Sequence, residues 1–461
     1  MKAKYSFIAL TSVIFVSPLF FSTSCNYQTC KFVRISDADS FYKLDYKGDY
    51  HFNDMLHFDA SPNPHDPDSS AKGVASDTSM RYFLSQQFYN NKQIPLPIWS
   101  PIGGACDSFN SYDATSNSWN FSRNFDYFYD PNEISDDFWT HQSNDFTPNS
   151  NYNSQYRAPS ALVHTAPTSS LEVNYLNTHV ARHVPVESMS LVYLPFFMGS
   201  AQPNVLQDKN NYWKIAPYFA FDGMNKNGVS ISINVSGNAQ TTHQKSPDDF
   251  DTANHDKINL NSFALVRMIL DYAQNLDDAL ELMSNFYLND LSFESAEPIH
   301  YQISDKSGNS AIVEFEEGYV MPSIIMTGDI VAAADTEFNY SITGTNKNFL
   351  INENFNLNNL YGEMETEGFD TWADLNEYIS DELIASMPNN DLRWAECYGR
   401  YYLVKNLLQD CGGVTNDPMN ILFKTRMYKW NTWSVVYDLT NGTTKVVYMQ
   451  QYDKPAYTFS F

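Results

Sequence analysis

Serine alternates with valine and isoleucine along residues 228–236 (GVSISINVS), a period of two that predicts a strand with one face buried. Strands are likewise predicted at 188–196 (SMSLVYLPF) and 217–222 (PYFAFD), with GMNKNG as the turn before the alternating run. Apolar positions change to helical spacing at 261–273, where Phe263, Val266, Leu270 and Ala273 fall on one face. Asn275 is placed to cap a second helix through LDDALELM. Residues 299–315 read as a hairpin whose turn carries Gly308, and 432–449 as another, turning on Asn-Gly; AYTFSF closes the chain as a strand. Residues 371–387 and 391–409 read as helices, the second stopped by Gly412 and Gly413. Two short strands, 106–111 and 119–124, are joined by the polar turn YDATSN. Strands, then helices, then strands predict antiparallel sheets layered with helices rather than alternating βαβ units.

The N-terminus departs from these patterns. Lys2 and Lys4 precede a mostly apolar run, residues 6–21, and STSC ends it at Cys25, the three-part form of a secretory signal. The run is short for a membrane span and is broken by Pro18. Either a signal peptidase cuts beside the small Ser22 and Ser24, or STSC acts as a degenerate lipobox and Cys25 becomes a lipidated N-terminus. The chain is read as a signal peptide (1–24), an upstream segment (25–105) and a main domain (106–461). Residues 26–105 read as polar and irregular, with 59–73 as a linker and 130–159 as an inserted loop.

At 461 residues and 43% hydrophobic, the chain can bury a sizeable core. Its formal charge of −26 argues against nucleic acid or an anionic membrane surface as partner. Five cysteines in an exported protein leave at least one unpaired or modified, and the absence of a CxxC pair argues against a zinc framework. His179 and His183 lie four apart, but in a strand-like context that does not suit a metal pair.

Cys106 follows Gly103-Gly104-Ala105, a flexible and unhindered stretch. Taken alone it reads as a buried or disulfide cysteine. A nucleophilic thiol needs a base, and no histidine is an evident partner. A cut before Cys106 would free its own α-amino group, whose pKa lies near neutrality, to take the thiol proton and return it to a leaving amine. The 106–124 hairpin returns Arg123 and Asp126 beside Cys106, a guanidinium to favour thiolate and a carboxylate to hold the amine.

Cys106-Asp107-Ser108-Phe109 and Arg123-Asn124-Phe125-Asp126 resemble the start of mature choloylglycine hydrolases, penicillin V acylases and acid ceramidase-type amidases, with Asp107 where the family has Thr. FDGMNKNGVSISINV, the 299–315 hairpin, RWAECYGRYY and the 432–449 strands are similar to later family segments. The likeness covers 106–461, with insertions around 130–178 and 235–257. It implies an α+β, four-layer αββα N-terminal-nucleophile fold, two stacked mainly antiparallel sheets between helical layers. It also implies hydrolysis of a linear N-acyl amide by Cys106, without metal or organic cofactor. By this resemblance Arg123 steadies the nucleophile, Asp126 orients the amine, Asn234 lies near the oxyanion asparagine, and Arg393, which fits better than Arg400, enters the site from a helix. The family's second oxyanion asparagine is matched by Asp335 or, four residues on, by Asn339; a carboxylate donates only when protonated. That departure keeps open a rival reading, a secreted or anchored binding protein that has lost catalysis. The partners expected are a small-molecule amide and the chain's own cleaved N-terminal segment, with no nucleic acid; Cys25 is the candidate lipid anchor.

Overall fold

The period-two stretches become strands in a computed structural model of the protein, which describes residues 29–35, 41–58, 73–74, 77–88, 106–126, 160–175, 179–194, 214–235, 258–288, 299–314, 323–327, 349–351, 404, 407–408, 414–426 and 431–461. In chain order the elements are β1 (Thr29–Arg34), β2 (Phe41–Gly48), α1 (Phe52–Leu56), β3 (Gly73–Val74), α2 (Asp77–Phe88), β4 (Asp107–Asp113), β5 (Ser118–Asp126), β6 (Ser160–Pro167), β7 (Leu171–Tyr175), β8 (His179–His183) and β9 (Ser188–Tyr193). There follow β10 (Ala220–Asn225), β11 (Val229–Val235), β12 (Ile258–Leu260), α3 (Ser262–Tyr272), α4 (Leu276–Ser284), β13 (Phe286–Leu288), β14 (Ile299–Asp305), β15 (Ser310–Glu314), β16 (Ser323–Thr327) and β17 (Phe349–Ile351). Last come α5 (Pro418–Thr425), β18 (Asn431–Asp438), β19 (Thr443–Tyr448) and β20 (Tyr457–Ser460).

A nine-stranded sheet, ordered β1-β2-β6-β9-β10-β11-β14-β15-β16, faces a six-stranded one ordered β17-β4-β5-β18-β19-β20. Within these two sheets all neighbours are antiparallel except β2 with β6. The two sheets touch through Phe41 stacked on Tyr448 at 4.9 Å and through polar contacts from β4, β5 and β18 to β10, β11 and β14. Helix α3 covers the outer face of the larger sheet, where Gly223 of β10 lets Leu270 approach, and α5 covers the outer face of the smaller sheet, where Asn124 Nδ2 donates to Leu422 O. The order is therefore helix, sheet, sheet, helix: the α+β layering expected from the sequence.

Local signals explain the ends of these elements. Asn261 and Asn275 cap α3 and α4 by accepting from the backbone N–H groups of Ala264 and Asp278. Gly308 turns the β14–β15 hairpin with φ +85°, and a Cβ there would lie 2.2 Å from the Trp119 ring. The predicted helices at 371–387 and 391–409, and the predicted loop at 130–159, lie outside the described residues apart from Val404, Leu407 and Leu408.

Three expectations need correction. Residues 26–105 are not irregular throughout: β1, β2, α1 and α2 lie there, and Phe41, Leu44, Tyr50, Met55 and Leu84 are wholly buried in the common core. Mixed polar and apolar composition hid a strand, β2, that is inserted between β1 and β6. The supposed insertion at 130–178 contains β6, an interior strand of the large sheet. Finally, β11 is not half-exposed. Asn234 reaches across to β4, so by alternation Ser230 and Ser232 share that inward face while Ile231 and Ile233 face α3, and all five are buried. Part of the space between the sheets is thus polar, and β11 alternates because its two buried environments differ.

Candidate active site

Cys106 sits one residue before β4, 3% exposed, as a free thiol. The disulfide reading of this cysteine is therefore set aside. Because β4 pairs with β5 in the register Ser108↔Arg123, the hairpin folds the Arg123 guanidinium back onto the sulfur, with Nη2 3.5 Å from Sγ. Arg123 is completely buried. Its Nη1 donates to Asp222 Oδ2 at 2.7 Å and to Phe221 O at 2.6 Å, and its Nη2 donates to Ile233 O.

The ion-pair partner of Arg123 is thus Asp222 of β10, and a surface pairing of Arg123 with Asp126 does not describe the site. Asp222 also accepts from Trp433 Nε1 at 3.1 Å and from Tyr437 Oη at 2.5 Å, both on β18. Three donors from the opposite sheet converge on this wholly buried carboxylate. Burial raises its pKa, while Arg123, Tyr437 and Trp433 pull it back. Sequence reasoning missed Asp222, although an acid closing the aromatic run PYFAFD is the signal that could have found it: a charge among core residues requires a buried partner.

Burial also pushes the Cys106 thiol above its ordinary value. The Arg123 charge opposes that rise, the Asp126 charge adds to it, and the Asp126 backbone N–H and the Arg123 side chain lower it as donors. Both donors stabilise the thiolate but neither can remove its proton, so the site needs a separate base.

Asp126 ends β5, fully buried, and its Oδ1 accepts from Asn431 Nδ2 at 2.9 Å. Asn234 is 1% exposed; its Nδ2 donates to Ser108 Oγ at 3.2 Å and its Oδ1 has no hydrogen-bond partner. Ser108 in turn donates to Gln302 Oε1 at 2.7 Å. The chain Asn234–Ser108–Gln302 ties the oxyanion candidate to β4, the strand that follows Cys106. Asp107, the residue that departs from the family pattern, accepts from Thr425 Oγ1 of α5 at 2.7 Å and so faces the outer helix. Cys106, Arg123, Asp126 and Asn234 are thereby brought into one neighbourhood. Asp335, Asn339, Arg393 and Arg400 lie outside the described residues. His183 pairs with Asp278 of α4, 3.6 Å away.

Residues 211–365 match the family of linear amide C–N hydrolases, choloylglycine hydrolase family. No curated protein matches the chain. Among solved structures, a mutant of the conjugated bile acid hydrolase from Clostridium perfringens aligns at 11% identity and TM-score 0.45, covering 77% of this chain and 92% of that one. Penicillin V acylase from Agrobacterium tumefaciens aligns at 12% and TM-score 0.45, covering 77% and 86%. The Caenorhabditis elegans ortholog of N-acylethanolamine-hydrolyzing acid amidase aligns at 10% and TM-score 0.32, covering 77% and 100%. The family match takes in Asp222 and Asn234; Cys106, Arg123 and Asp126 precede it and are joined to it by the Arg123–Asp222 ion pair. The resemblance first carried by Cys106, Arg123 and Asp126 is borne out over residues 211–365 by similarity to the linear amide C–N hydrolases of the choloylglycine hydrolase family.

Proposed function

We propose that this chain is an exported cysteine hydrolase of linear carboxamide bonds, activated by cleavage between Ala105 and Cys106. The observation that carries this reading is a buried thiol at the head of a strand, touched by a buried guanidinium that Asp222 holds in place. A structural cysteine has no need of a charge desolvated at that cost.

In the processed chain the Cys106 amine takes the thiol proton, and the thiolate attacks the substrate carbonyl. Arg123 stabilises the thiolate, and Asp126 holds the ammonium that forms. The tetrahedral oxyanion is met by Asn234 Nδ2, whose second N–H is not used by Ser108. The ammonium proton goes to the leaving amine, leaving an acyl thioester. Water, deprotonated by the same amine, then attacks the thioester and releases the acid.

The upstream segment stays bound as a subunit after the cut. Strand β2 is paired on both sides, with β1 and along eight residues of β6. Phe41, Leu44, Tyr46, Phe52, Met55 and Phe83 are each no more than 1% exposed. At about 2 kcal/mol for each large apolar side chain, their burial contributes on the order of 10 kcal/mol as an upper bound. Export is supported by the charged and apolar N-terminus, with Cys25 either lipidated or at the processed end.

N-terminal sequencing and turnover of a panel of N-acyl amides test the reading together. Active protein should yield two chains that co-purify, one beginning at Cys106, and Cys106→Ala should abolish turnover. Activity with an intact 105–106 bond would end the free-amine mechanism. A folded, processed chain that forms no thioester with any panel member would favour a binding protein instead.

A further inference from the structure

Asp126 is buried beside the nucleophile, and a buried carboxylate is oriented only by what donates to it. One donor to it, a side-chain amide, is Asn431, the first residue of β18 and the register partner of Asp126. A register shift between Asn431 and Trp433 lets the Asn431 side chain turn inward, where it is 2% exposed. Its Nδ2 lies 2.9 Å from Asp126 Oδ1, 3.2 Å from Asn124 Oδ1 and 3.2 Å from Trp433 O. Its Oδ1 lies 3.2 Å from Ser434 Oγ, which also donates to Asn124 Oδ1 at 2.5 Å and bonds Tyr452 Oη. The amide therefore has one allowed orientation, because reversal would set its oxygen against an ionised carboxylate that can only accept. Asn124, which shares this amide, is itself fixed to Thr425 Oγ1 at 3.1 Å, and Thr425 donates to Asp107.

We propose that Asn431 is a positioning residue for the reaction, orienting the Asp126 carboxylate toward the amine and thiol of Cys106 through its Nδ2 hydrogen bond. This rests on the reading of Cys106 as the processed nucleophile. Among the described residues, Cys106 and Tyr452 are each coupled to the Asp126 charge; Arg123 faces Cys106, and Arg426 and Asp107 face Tyr452. The hydrogen bonds of Asn431 go to Asp126, Asn124, Trp433 and Ser434; it acts by fixing the direction and charge density of the Asp126 oxygen.

The test uses the full chain, with iodoacetamide as the probe and mass spectrometry of the Cys106 peptide to follow alkylation from pH 5 to 10. Asn431→Asp places a second carboxyl against Asp126 in nearly the same shape. It should raise the alkylation inflection by at least about half a pH unit, slowing alkylation about threefold at pH 7. Asn431→Ala removes the donor and leaves more charge on the Asp126 oxygen, so the inflection should move the same way by less. On whichever amide wild type hydrolyses, kcat of Asn431→Ala should fall about tenfold with KM unchanged. If one variant does not fold, the other decides. Profiles coinciding with wild type in every folded variant would overturn the proposal. N-terminal sequencing of wild type is read separately: an uncut chain ends the free-amine mechanism, while the alkylation profiles still judge the coupling of Asn431 to Asp126 and Cys106.

Discussion

Replacing Asp222 by asparagine changes the charge behind Arg123 while keeping its shape. The substituted amide oxygen can take the Arg123 and Trp433 hydrogen bonds, and the amide nitrogen can donate to the Tyr437 oxygen, so Arg123 and Trp433 keep their acceptor while Tyr437 changes from donor to acceptor at this contact. What is lost is the negative charge. Contacts of 2.7 Å and 3.5 Å on either side of the guanidinium set the spacing. They put the carboxylate no more than roughly 8 Å from the sulfur, a repulsion of about 2 kcal/mol at an effective dielectric of about 20. Removing it should lower the Cys106 thiol pKa by about one unit, leaving room for partial screening. Thiolate at pH 7 then rises about tenfold, and the accompanying loss of intrinsic nucleophilicity reduces the gain in iodoacetamide alkylation to about threefold. Breaking the buried pair should cost about 3 kcal/mol of stability, read as a lower urea midpoint with an unchanged slope. An alkylation inflection that stays put or moves up in the folded variant would refute the reasoning, since it would mean that Asp222 does not govern the charge at the thiol.

Three further outcomes follow from the structure. Asp271, paired with Arg267 under α3, has its carboxyl pushed up to about 6 from 3.8, by burial first and against the pull of Arg267. An acid raised on folding stabilises fully below its unfolded value and loses that contribution as pH climbs through its folded one. Asp271→Asn should therefore gain up to about 3 kcal/mol on wild type between pH 4 and pH 7 in urea unfolding; a change of opposite sign would mean that Arg267 holds the carboxyl low. Gly308→Ala sets a Cβ against Trp119 at positive φ and should lower stability by about 2 kcal/mol, with thermal melting as the check; an unchanged melting point would contradict the close approach. Asp126→Asn should leave the fold intact and depress turnover severely, whereas near-normal turnover would make Asp126 a structural residue.

Residues near one another along the chain were legible to the extent that chemistry is local. The caps Asn261 and Asn275, the glycine turn at 308 and the Asn-Gly hairpin depend on backbone geometry within a few positions, and each stands where its residue type predicts. The Cys106 to Asp126 hairpin belongs to the same class, because two strands and a short turn bring Arg123 back beside the thiol whatever the remainder does. The later resemblance to Asn234 needed a family pattern, since nothing within β11 says which face meets β4.

What only the tertiary structure decided is pairing across distance. Arg123 is 99 positions from its counter-ion Asp222, and Asn431 is 305 positions from Asp126. The alternation of β11 is ambiguous by itself, because a polar row facing water and a polar row facing the opposite sheet have the same period. The upstream segment reads as irregular because β2 mixes charged residues with Phe41, Leu44 and Tyr46, and only its place between β1 and β6 shows which of them are buried. Sequence by itself determined the candidate thiol, its hairpin and the local turns and caps. The fold decided which charges are desolvated together, and desolvation is what gives a guanidinium, a carboxylate and an amide their hold on one thiol.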